Sequence, residues 1–160
     1  MIFIILGSRE YQFDRLLRKI DYFIDKYEYK GKVFAQIGSS KYIPKYYEYE
    51  KYLDKVQFEV YQNNAEIIIS HGGTGALISS IKKRKKVIGV PRMAKFNEHT
   101  DDHQFQIIEL LENEGYISSV KSEDLGELEY LLNHPEKIPS RKYNNFNIMH
   151  KIIMDFLELK

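Results

Sequence analysis

No cysteine and no tryptophan occur among the 160 residues, and there are only four prolines. Without cysteine there is no disulfide, no thiolate metal site and no cysteine nucleophile. Neither sign of charge dominates: 24 Lys and Arg stand against 23 Asp and Glu, a formal net charge of +1. Such a chain has no global field for nucleic acid or an anionic membrane, although a local patch stays open. Long apolar runs are missing too. The longest have five or six residues, as over positions 2–6, far short of a bilayer span. Met1 leads directly into a strand-like run, with no basic stretch ahead of an apolar one, as expected of a cytosolic chain.

What is present is a globular composition. Hydrophobic residues make up 43% and charged residues 29%, which excludes a wholly disordered chain. The length suits one domain over residues 1–160, and a chain of this size buries about 68–70% of its extended surface.

Short apolar runs alternate with helical periodicity. Residues 1–6 form a continuous apolar run, expected for a strand buried on both faces, and stop at Gly7 and Ser8. Phe13, Leu16, Leu17, Ile20, Phe23, Ile24 and Tyr27 then recur at helical spacing, and residues 33–37 read as a second strand. This is a β-α-β unit, whose crossover is right-handed and parallel. Residues 41–53 are dense in tyrosine and read as a loop followed by a short helix or irregular stretch. Residues 56–58 suggest a short strand and 59–64 a helical turn. Strands are expected over 66–70, 86–90 and 116–120, and helices over 74–83, 103–114, 123–132 and, at the C-terminus, 148–159. Residues 93–101 read as a polar loop. The sum is an α/β domain: a Rossmann-like parallel sheet with helices on both faces. Ligands in such sheets sit beyond the carboxyl ends of the strands, which selects the loops over 7–12, 71–75 and 91–104.

The strongest local signal is the run from Ile67 through Ser70, His71, Gly72, Gly73, Thr74 and Gly75 to Ala76. A buried strand enters a glycine-rich turn and then a helix start, whose first amides lack internal partners and favour an anion such as phosphate. His71 stands where it could donate to a phosphate oxygen, and Thr74 could add a hydroxyl. The spacing is neither that of a dinucleotide fingerprint nor that of a Walker loop. It equally suits a tight turn with no ligand, and spacing alone does not separate the two. Polar residues also gather over 91–104, where Arg92, Glu98, His99, Asp102, His103 and Gln104 could meet sugar hydroxyls. The histidines and carboxylates there invite a metal reading, but Asp101 and Asp102 serve as well as helix caps, and no metal is expected. Gly7, Ser8, Arg9 and Glu10 form a third loop that could face the same ligand.

Lys82, Lys83, Arg84, Lys85 and Lys86 form a basic run at an expected helix end, where cations meet the negative end of the dipole. A solvated helix end is the favoured reading, with an anionic membrane surface as the alternative. No aromatic-interleaved basic face accompanies the run, so nucleic acid is not an expected partner. The tyrosines over 42–52 suit either an interface or packing.

Taken together, the serine-histidine-glycine-glycine-threonine-glycine turn at 70–75, Val90-Pro91-Arg92 and Glu98 to Gln104 resemble the C-terminal, donor-binding half of glycosyltransferase family 28 enzymes. The likeness extends from residue 1 to about 116 and includes the opening stretch and residues 33–38. It is similar above all to the small subunits of two-component bacterial transferases of capsule and exopolysaccharide synthesis, β-1,4-galactosyltransferases among them. It also resembles the cytosolic half of the eukaryotic dolichol-linked GlcNAc transferase.

The resemblance implies the C-terminal half of a GT-B fold. Gly7, Ser8, His71, Gly72, Gly73, Thr74 and Gly75 would hold the diphosphate of a UDP-sugar. Arg92, Glu98, His99, Asp102, His103 and Gln104 would line its sugar end, with Gln36 and Gly38 bordering the base. The implied reaction is inverting transfer of a hexose, galactose by likeness, to a polyprenyl-diphosphate-linked saccharide, with no cofactor. The acceptor half would be a separate, membrane-anchored subunit, which would bring this chain to the inner face of the plasma membrane. The general base is expected from that partner, with Glu98 and His99 as in-chain alternatives. Many relatives carry an acid eight positions after the motif histidine to bind ribose; here Ser79 stands there, so the ribose contact must come from elsewhere. The longer plant-type pattern, with its Trp and Asn, is absent. Three alternatives stay open: a non-catalytic UDP-sugar-binding or enhancer subunit, a fragment of a 2-epimerase of the same fold, and a tyrosine-rich adaptor that binds no nucleotide.

Overall fold

A computed structural model describes residues 1–100 and 103–143, and of His103 only the backbone. The C-terminal helix expected over 148–159, Asp102 and the His103 side chain therefore lie outside the described residues.

The first apolar run forms β1 (Ile2–Ile5), with all four residues buried. Both faces of a central parallel strand are covered, so both parities of the sequence must be apolar. Helix α1 (Asp14–Lys26) leads to β2 (Val33–Gln36), and the edge strand β3 (Glu48–Glu50) follows. Helix α2 (Lys55–Asn64) returns the chain to β4 (Ile67–Ser70), and α3 (Thr74–Lys82) carries it to β5 (Lys86–Gly89). A 3-10 turn (Ala94–Phe96), α4 (His103–Asn113), the short β6 (Ser118–Ser119) and α5 (Gly126–Asn133) complete the described order, ahead of a last 3-10 turn (Pro135–Lys137).

The sheet order is β3-β2-β1-β4-β5-β6, and every pairing is parallel. Ile2 pairs with Ile67 and Ile5 with Ser70, so the carboxyl ends of β1 and β4 lie side by side. Ile2, Ile4 and Leu6 face a core with Leu16, Leu17 and Ile20 of α1 and Leu128, Leu131 and Leu132 of α5. Phe3 and Ile5 face the opposite core, with Leu77, Ile78 and Ile81 of α3 and Ile108 and Leu111 of α4. Each such side chain, fully buried, contributes about 1.5–3 kcal/mol.

Two stretches differ from the sequence-based expectation. Residues 41–53 contain the strand β3, not a short helix. Two carboxylates of α1 shape this stretch. Asp21, 4% exposed, accepts from the Tyr42 hydroxyl and from the amides of Lys45 and Tyr46, and Asp14 accepts from the amides of Lys41 and Tyr42. The Tyr47 hydroxyl donates to the Leu17 carbonyl. Tyr42, Tyr47 and Tyr49 thus pack against the first core, and Glu48 and Glu50 alternate outward. Residues 56–58 are helical, not a strand. Asp54 and Gln57 form a reciprocal capping box that starts α2 ahead of the β-branched Val56. The polar loop over 93–101 contains the 3-10 turn, closed by Asn97 at φ 55°. The strand expected over 116–120 narrows to β6, and α5 starts only at Gly126, whose amide is capped by Ser122 and Asp124.

Candidate functional site

The sheet order fixes where a ligand can sit. From β1 the chain proceeds to β2 and β3, then crosses back to the other side of β1 for β4. Connections diverge above this pair and leave a crevice. A cleft of about 740 Å³ occupies it, lined by the loop after β1, the start of α3, Phe58 of α2 and the early turns of α4. Gly7, Ser8, His71, Gly72, Gly73, Thr74 and Gly75 all line this cleft, brought together from two loops that are far apart in sequence.

His71 is 8% exposed and locked in place. The Ile5 carbonyl accepts both its backbone amide, at 3.3 Å, and its Nδ1, at 2.9 Å. A carbonyl only accepts, so Nδ1 carries the proton and Nε2 presents a lone pair. Burial, with the Arg92 cation beside it, pushes its pKa down to about 4, so the ring is neutral at physiological pH. The neutral ring is therefore an acceptor at Nε2, and donation from Nε2 to a phosphate oxygen, as the sequence suggested, calls for a second proton on the ring. Two glycines make room for it. A Cβ at Gly7 would lie 2.9 Å from the ring, and one at Gly73 would lie 2.7 Å from Nε2. Gly7 also sits at φ +75°, where side chains are strained.

Helix α3 begins at this ring without a side-chain cap. Gly73 is its N-cap, and the first intrahelical bond runs from the Leu77 amide to the Gly73 carbonyl. The amides of Thr74, Gly75 and Ala76 precede that bond and have no partner within the helix. Helix α2 is different, because Asp54 accepts from its first turn.

The loop after β5 divides into a structural part and a part that faces the cleft. Arg92 is 2% exposed, and its Nη2 donates to the carbonyls of Leu6 (2.7 Å) and Tyr11 (3.1 Å). Burial lowers its pKa to about 10, against the opposing pull of Glu98, so it stays charged. Its backbone amide donates to Gln104 Oε1 at 3.1 Å, which holds that side chain at the cleft. His99 lines the cleft and packs its ring against Tyr11, with centroids 4.4 Å apart. Glu98 does not line the cleft. It is 1% exposed, its two carboxylate oxygens accept from Arg15, and Oε2 also accepts from the Met93 amide. Neither sugar contact nor proton abstraction by Glu98 fits this placement, because both oxygens are engaged away from the crevice.

The sequence did not single out several lining residues. Phe58, Ile107 and Leu110 give part of the cleft an apolar surface, whereas Arg9 and Tyr11, which border it too, belong to the loop over 7–12 that the sequence had selected. Phe58 was hidden by the strand assigned over 56–58. Gln36 lines the cleft as expected at the end of β2, and its Nε2 donates to the Gly7 carbonyl at 3.3 Å. Ser79 also lines it, and its hydroxyl donates to the Ala76 carbonyl and accepts from Gln62. Among the described residues, no carboxylate lines the cleft, while two guanidinium groups do. Nor do any three His, Asp or Glu side chains among them gather as metal ligands.

The basic run lies at the opposite end of the sheet, between α3 and β5. Lys83 and Lys85 donate to Asn63, Lys86 lies 3.5 Å from Glu66, and Lys82 lies over the Tyr143 ring. No helix among the described residues is long and apolar enough to cross a membrane.

Comparison with known proteins supplies the class. The glycosyltransferase family 28 C-terminal domain matches over residues 1–154, and the chain belongs to this family. Over 98 residues it is 30% identical to the UDP-N-acetylglucosamine transferase subunit ALG13 of Candida glabrata, covering 59% of this chain and 46% of that protein. The chain thus spans about half the length of that curated relative. An NMR solution structure of ALG13 superposes with a TM-score of 0.62 at 16% identity, covering 95% of this chain and 93% of that one. A crystal structure of MurG from Acinetobacter baumannii also gives 0.62, at 13% identity, covering 98% of this chain but only 49% of MurG. The fold is that of the C-terminal half of GT-B glycosyltransferases.

Proposed function

We propose that the chain is the donor-binding subunit of an inverting glycosyltransferase. It would move a hexose, galactose by likeness, from a UDP-sugar to a polyprenyl-diphosphate-linked saccharide in capsule or exopolysaccharide synthesis. The observation that carries this reading is the uncapped start of α3, which opens into a cleft lined by no carboxylate among the described residues. Three amides and the positive end of a helix dipole there suit a diphosphate.

As the bond between the sugar and the diphosphate breaks, its electron pair stays on the leaving phosphate oxygen. Amides already aimed at that oxygen stabilise the charge without reorganisation. Hydrogen bonds to a charged group contribute about 1.5–3 kcal/mol each, so two or three of them matter kinetically. The acceptor hydroxyl must lose its proton to a base. With Glu98 held by Arg15, the base falls to a membrane-anchored, acceptor-binding partner subunit or to His99. That partner would also place this chain at the cytoplasmic face of the membrane. The reading calls for no cofactor, and transfer is expected to survive chelation.

A second reading is a UDP-sugar-binding subunit without chemistry of its own, favoured by the lack of a carboxylate among the described residues lining the cleft. One experiment addresses both. UDP is titrated into the purified chain, and transfer from UDP-sugars is assayed with and without the co-expressed partner. Binding with partner-dependent transfer supports the first reading. Binding without transfer, even with the partner, supports the second. Absence of binding removes both.

A further inference from the structure

Two guanidinium groups line the cleft, and the structure gives them different work. Arg92 is buried, and its Nη2 is engaged by the carbonyls of Leu6 and Tyr11. Those two carbonyls bracket residues 7–10. The middle of the same loop is held from the other side, where the Ser39 hydroxyl donates to the Arg9 carbonyl at 3.1 Å. Ser39 is itself within 3.2 Å of the Tyr52 hydroxyl. The backbone of this loop is thus fixed at three carbonyls, and the exposed residues it presents to the cleft are Ser8 and the charged Arg9. Among the described residues, the Arg9 guanidinium has no acidic partner. A fixed loop, an unpaired cation and a cleft lined by no carboxylate among the described residues are complementary to a dianionic or trianionic ligand.

We infer that Arg9 is the side chain that supplies positive charge to the donor's diphosphate, on a loop that Arg92 positions from beneath. This rests on the donor-binding reading above and assigns within it a residue to which neither the loop motif nor the family likeness gave a role. It divides the labour at the site. The amides of α3 bind phosphate oxygens by direction, and Arg9 adds the net charge that separates a diphosphate from a monophosphate or a bare nucleoside. Arg92, which the family likeness set at the sugar end, is a positioning residue.

The test is calorimetric titration of the full chain and its Arg9→Ala, Arg9→Gln and Arg9→Lys variants with UDP, UMP and uridine, at two salt concentrations. Arg9 is exposed, and melting by circular dichroism checks that the variants keep the parent fold. Loss of one charged hydrogen-bonding group is expected to weaken UDP binding by about tenfold or more. Uridine affinity should be unchanged, the preference for UDP over UMP reduced and the salt dependence shallower. Arg9→Lys should retain most of the affinity. If the parent binds UDP and the Ala and Gln variants bind it equally well, the role of Arg9 is overturned and the donor-binding reading stands. Equal weakening toward uridine also overturns it, since the contact is then not to phosphate. A parent chain that binds no UDP removes the inference and the donor-binding reading together.

Discussion

Arg15 and Glu98, 83 positions apart, form a bidentate pair: Nε to Oε1 and Nη2 to Oε2, both at 2.9 Å. Glu98 is 1% exposed, so the pair ties α1 to the loop after β5 in a largely dry setting. Removing one partner of a buried pair leaves an uncompensated charge and costs about 3–5 kcal/mol. Glu98→Ala should therefore lower the unfolding free energy in urea by that order, and Arg15→Ala with Glu98→Ala by less than the sum of the two. A Glu98→Ala chain of unchanged stability and altered sugar selectivity would point to a substrate role instead.

His71 makes stability depend on pH. Its folded pKa of about 4 lies below the ordinary value of 6.5. Between these values the unfolded chain binds a proton that the folded chain refuses, so stability is complete above pH 6.5 and lost as pH falls toward 4. The full difference amounts to about 3 kcal/mol. His71→Gln should lose less stability than the parent between pH 7 and 4.5. In nitrogen-15 spectra the ring should stay in the Nδ1–H form down to about pH 5. A ring that titrates near 6.5 contradicts the locked geometry.

Two glycines that line the cleft should change stability in opposite directions. At Gly7 a methyl meets the His71 ring at 2.9 Å and the backbone is at φ +75°, so Gly7→Ala should cost about 1–2 kcal/mol and weaken nucleotide binding with it. At Gly75 a methyl meets nothing within 4 Å, and the position is helical. Gly75→Ala should keep or slightly raise the melting temperature, since Ala favours helix over Gly by about 1 kcal/mol at most. Yet it places a methyl in the cleft, so UDP affinity should fall. Unaltered affinity in Gly75→Ala would mean that the ligand does not approach this turn.

Much of this site was legible because its signals are local. Ile67 to Gly75 reads as strand, glycine turn and helix start from neighbouring residues alone, and the structure places that turn at the switch in strand order. The sheet beyond β2 was less legible. Asp21, an acid inside α1, organises residues 42–46 across the fold, and no spacing within 41–53 reveals that. The roles of the two arginines and of Glu98 were hidden for the same reason. Arg92 Nη2 is held by carbonyls 81 and 86 positions away and Glu98 by Arg15, so only the folded chain separates structural charge from the exposed charge facing the cleft.

The central claim is that peptide amides at the start of α3 grip a diphosphate. Its most direct test is titration of the nitrogen-15-labelled chain with UDP, following backbone amides. The amides of Thr74, Gly75 and Ala76 should shift most, joined by those of Gly7 and Ser8, and should move far less with uridine. Saturable UDP binding that leaves those three amides in place would contradict the account.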